Sequence, residues 1–92
     1  MNKFYIVQHE WLSRDENYDT ALLGVFQNKD NAVKCMKKER DTLLEESYGI
    51  SLEIATQSEY YMCNDTDDEF SIADMYDYPW DKISIIESKF SD

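Results

Sequence analysis

Only one stretch of this 92-residue chain has a helical period, and that limits its architecture more than any other feature. Ala32, Val33, Met36, Leu43 and Leu44 fall on one stripe, with Arg40 bridging the gap by its aliphatic stem. Lys34, Lys37, Lys38, Asp41 and Glu45 take the opposite side. Asn28 offers an N-cap, Asp30 places a carboxylate at the positive end of the dipole, and Gly49 suits the left-handed residue that closes such a helix. The spacing predicts a helix over 29–47.

The rest alternates. In residues 3–11, Tyr5, Val7, His9 and Trp11 share one side while Phe4 and Ile6 share the other, so both faces must be partly covered where this strand begins. Residues 20–27 read as a second strand, with Leu22 and Phe26 beside Gly24 and with Ala21, Leu23 and Val25 opposite. The two pair most simply as an antiparallel hairpin. Its connection, 12–19, lacks Asn-Gly and Asp-Gly and is predicted to project as a mobile loop.

After the helix, Leu52 and Ile54 lie two apart, which predicts a third strand from Ile50 to about Tyr61, extendable to Cys63. NDTDDE at 64–69 is a turn by composition, Phe70–Ala73 a short fourth strand, and 81–90 the last, with Ile83 and Ile85 opposite Ile86. The fold class is therefore α+β, a single antiparallel sheet of four to five strands in the order β-β-α-β-(β)-β. One amphipathic helix covers one face, in a single domain over 1–92. The other face is left as a binding surface. A chain this short buries only about 60 to 65% of its unfolded surface, leaving little wall for a deep cleft.

Twenty acids against nine bases give a formal net charge of −11, which opposes direct binding to nucleic acid or an anionic membrane. The segregation is strong. Five bases lie between 29 and 40, whereas 41–81 holds twelve acids and no base. Acidity of this kind also serves solubility alone. Cys35 and Cys63 form no CxxC pair and no apolar leader precedes them, which predicts a cytoplasmic protein with reduced thiols.

Tests for chemistry mostly fail. His9-Glu10 lacks the second His of the zinc-protease helix, since Ser13 stands there, and the segment has a strand pattern that puts His9 on the sheet surface. Two glycines and no glycine-rich loop remove the standard phosphate-binding motifs. Asp65, Asp67 and Glu69 alternate as calcium-loop ligands do, but Phe70 and Tyr76 stand where Gly and Glu belong. A non-enzyme without cofactor or metal is the expectation.

What remains is the mixture at 59–81, which holds eight carboxylates, six aromatics and no Lys or Arg. Tyr supplies stiff contact area and fixed carboxylates attract a basic site, standing where the phosphates of a duplex would stand. Phe70 and Trp80 are expected in the core, and Tyr61, Tyr76 and Tyr78 suit either core or contact. The predicted partner-binding residues are Glu59, Tyr61, Asp65, Asp67, Asp68, Glu69, Asp74, Tyr76, Asp77 and Tyr78, facing the basic surface of a protein partner. The alternative is an assembly module that forms a homodimer through its sheet.

Phe4–Trp11, followed by Leu23-Gly24-Val25-Phe26 and Asn28–Ala32, resembles small uncharacterised bacterial and phage proteins with a β-hairpin and a helix start. The likeness covers the first third of the chain and implies no activity. By size and acidity alone the chain also resembles phage-encoded inhibitors such as anti-CRISPR proteins, which implies an inhibitor but places no residue.

Overall fold

The structure, a computed structural model, describes residues 3–75 and 79–89. β1 (Lys3–Leu12) and β2 (Tyr18–Phe26) form the expected antiparallel hairpin. Their connection is tighter than the 12–19 loop, because Ser13 N–H donates to the Asn17 carbonyl at 3.0 Å and Glu16 turns back at φ 62°. The alternation of β2 is interrupted. A register shift opposite Val7 and Gln8 inserts one extra residue, so Phe26 and Gly24 share a face while Leu22 turns to the other. The Phe26 ring lies across Gly24, 2.8 Å from where a Cβ would stand, which is why the smallest residue sits there.

α1 (Lys29–Leu43) begins at Asn28, whose Oδ1 accepts the Asp30 N–H at 2.7 Å. It passes into one wide π-type turn over Leu44–Tyr48, closed by Gly49 at φ 66°. The stripe is buried as predicted: Ala32, Met36 and Leu44 lie in the core, and Arg40 is buried along its stem.

The predicted third strand over 50–61 is corrected. Residues 52–57 form a second helix, α2 (Leu52–Gln57), and β3 (Tyr61–Asp65) begins only afterwards. Ser51 explains the difference, because its Oγ accepts the Ile54 N–H at 3.2 Å and starts a helix where three apolar residues at alternate positions suggest a strand. Helical turning buries Ala55 fully and Leu52 partly, and leaves Ile54 in solvent.

β4 (Glu69–Asp74) and β5 (Trp80–Lys89) complete an antiparallel five-stranded sheet in the order β2-β1-β5-β4-β3. The fold is α+β, with α1 crossing β1, β2, β4 and β5 on one face. Val7, Phe70, Ile72 and Ile83 meet Ala32, Met36, Leu44 and Ala55 there with essentially no exposure. Trp80, expected in this core, lies instead on the uncovered face beside Tyr18, with ring centroids 6.1 Å apart.

Candidate functional site

The register sorts the uncovered face into bands. Val25, Ile6 and Ile86 pair across three strands as an apolar row, with Leu22 one step along. Gln8, Glu10, Lys82, Ser84, Glu69 and Ser71 fill the polar middle. Tyr18, Leu12, Trp80, Ala73 and Met62 form a second apolar row at the other end. There, Leu12, Met62, Trp80 and Lys82 help line a hollow of about 440 Å³. The middle is internally satisfied, since Tyr18 donates to Glu10 Oε2 at 2.6 Å and Lys82 Nζ meets Glu69 Oε1 at 3.0 Å.

The helix side is different. Between the end of α1 and α2 runs a groove of about 580 Å³ floored by Leu44, Ile50, Leu52 and Ile54, with Asp41 and Glu45 on its rim. Glu46, Glu53 and Glu59 stand exposed in the same span of chain. Among the described residues Glu45, Glu46, Glu53, Glu59 and Asp67 have no ion-pair partner. Glu45 and Glu46 also sit at the carbonyl end of the long helical segment, where the dipole disfavours negative charge by about 0.3 to 1 kcal/mol. Sequence reasoning missed this groove because it drew 50–61 as a strand. The available signal was Ser51 with Glu53 in the first turn of a helix.

The predicted partner-binding residues divide into two groups at opposite ends of β3, about 15 Å apart at the usual rise per residue. Glu59 and Tyr61 lie at its start, and Asp74 faces Tyr61 across the ladder. Tyr61 is half-buried and stacks edge-on against Tyr48, with centroids 5.7 Å apart. At the other end, Asp67 is exposed, but its neighbours are engaged: Asp65 with Arg40 at 3.2 Å, Asp68 with Lys29 at 3.0 Å, and Glu69 with Lys82. These hydrogen bonds to carboxylates raise the Lys29 and Lys82 pKa values. Burial works against the Arg40 charge, and its bonds to Asp41 and Asp65 more than offset that, so its pKa is raised. Tyr76, Asp77 and Tyr78 lie outside the described residues.

His9, expected on the sheet surface, is half-buried under the helical layer. Its Nε2 lies 2.8 Å from Asp81 Oδ1, and Tyr48 donates to Asp81 Oδ2 at 2.6 Å. The wide turn brings Tyr48 to this position. Burial first, and then the carboxylate it donates to, drive the Tyr48 pKa far above its ordinary value, so its proton stays in place at neutral pH. This trio satisfies a carboxylate that would otherwise be costly to bury. No hydroxyl or thiol nucleophile is hydrogen-bonded to His9 among the described residues. Cys35 and Cys63 are free thiols whose pKa values burial raises. No helix among the described residues is long and apolar enough to cross a membrane. No protein-family model, no curated protein and no solved structure matches this chain.

Proposed function

We propose that this chain is a small binding protein that docks its acidic helical side onto a basic site of a partner protein, one built to hold nucleic acid, and so blocks it. The reading is carried by the apolar groove between α1 and α2 with carboxylates on its rim and beside it. An apolar floor supplies contact energy, while Asp41, Glu45, Glu46, Glu53 and Glu59 steer a Lys- and Arg-rich surface toward it. Placement of Glu45 and Glu46 at the disfavoured end of a helix supports a use beyond folding, because such local conflicts concentrate at functional sites. Asp67 and Asp68 add a separate acidic spot near the start of α1. The Asp68 pair is solvent-exposed and thus weak enough to exchange its lysine for a partner's.

The test is capture of partners from the source cell by two charge-reversed proteins. Glu45→Lys with Glu46→Lys and Glu53→Lys should abolish capture, whereas Asp15→Lys with Glu16→Lys, in the exposed hairpin turn, should leave it intact. Equal capture by all three proteins would refute the reading.

A further inference from the structure

We propose that two copies of this chain pack through their uncovered sheet faces, so that the protein is a dimer with its acidic helical sides turned outward. A solvated antiparallel face normally alternates to polar residues. Here it does not. Leu22, Val25 and Ile86 are 65%, 55% and 43% exposed at one end, and Tyr18 and Met62 are 57% and 67% exposed at the other. These are five of the eight large apolar side chains exposed among the described residues, all on one face.

The surface of the chain leaves room for a second copy as the occupant. A folded 10.9 kDa monomer is expected to expose about 5,600 Å², whereas this chain exposes 6342 Å². The excess, roughly 750 Å², belongs to the whole elongated chain, and it is of the order of the ~800 Å² that each partner loses in an interface of standard size. Shape agrees too, since the molecule is a slab of 46 × 27 × 18 Å whose radius of gyration of 14.0 Å exceeds the ~12 Å of a compact chain of this length.

Charge selects the copy over a basic partner. At −11 most surfaces of this protein repel one another, but the carboxylates in the middle of this face, Glu10 and Glu69, are already met by Tyr18 and Lys82. The neutral Tyr18 hydroxyl leaves the Glu10 charge in place, so this band carries one net negative charge per copy, far below the −11 of the whole chain. The apolar bands on either side can interdigitate as the faces of a sandwich do. A Lys- and Arg-rich surface would find only the Glu10 carboxylate to pair with here. The inference does not rest on the docking role proposed for the helical side, and the two respond oppositely to salt. Added salt screens the repulsion between two acidic copies and tightens the dimer, whereas it weakens docking to a basic site.

Sedimentation equilibrium of the whole chain between 50 and 500 mM NaCl decides it, at concentrations up to about 200 µM (loading chosen for a micromolar equilibrium). The expected result is a monomer–dimer equilibrium that tightens with salt. Val25→Thr with Ile86→Thr, substitutions that keep strand propensity, should weaken it at least about tenfold. Glu53→Gln, on the other side, should leave it unchanged or tighter. A monomer at every salt concentration would overturn the proposal without any variant. So would a dimer indifferent to the Thr substitutions, which would place the contact at a sheet edge, or one that loosens with salt.

Discussion

Asp81 is nearly enclosed, and its burial is tolerable because an imidazole and a phenol approach its two oxygens. Tyr48→Phe leaves one oxygen without its donor and should cost about 1.5 to 3 kcal/mol in urea denaturation at pH 8. The same residue shapes the alkaline limb. Because its folded pKa is raised, Tyr48 contributes stability that is intact below the unfolded value of about 10 and is lost as pH rises toward the folded one. Wild type should therefore lose more stability between pH 9 and pH 11 than Tyr48→Phe does, and parallel curves would contradict this assignment. Burial that raises both thiols should likewise make Cys35 and Cys63 slow toward a thiol-specific reagent at pH 8, with both reacting promptly in urea.

Elements with a long period or a strong cap were legible in the sequence. The α1 stripe from Ala32 to Leu44, the N-cap at Asn28, the β1–β2 hairpin and the final strand stand where patterning places them. The turn predicted over 64–69 shrinks to 66–68, because Asn64 and Asp65 extend β3 and Glu69 opens β4. Two features were not legible, for physical reasons. The shift in β2 comes from one extra residue, and an alternation rule cannot anticipate an insertion that only the partner strand reveals. α2 was hidden because Ile50, Leu52 and Ile54 satisfy a two-residue period too short to exclude a helix. The candidate site shared this fate: its acids were visible as charge, but the groove they rim exists only because 52–57 is helical. Two substitutions test this corner. Ser51→Ala should cost about 1 kcal/mol through loss of the cap. Gly49→Ala should cost about 1 to 2 kcal/mol through left-handed backbone alone, since no atom lies within 4 Å of the added Cβ. Urea midpoints equal to wild type would contradict both.

At the scale of the whole molecule, one layer of helix on one sheet produces two unlike sides. Lys29 is paired with Asp68, Lys82 with Glu69 and Arg40 with Asp65 and Asp41, while Lys34, Lys37 and Lys38 stay exposed on α1, so negative charge accumulates over 45–59, where the chain has no base. Self-repulsion at −11 should make the fold itself firmer in salt, with the urea midpoint rising between 20 and 300 mM NaCl. Docking to a basic partner should move the other way. The most direct test of the docking role is therefore the affinity for a captured partner, titrated against salt and against competing duplex DNA. The account predicts affinity that falls steeply as salt rises, a shallower fall for Glu45→Gln with Glu46→Gln and Glu53→Gln, and displacement by the duplex. An affinity indifferent to salt and to the duplex would contradict it.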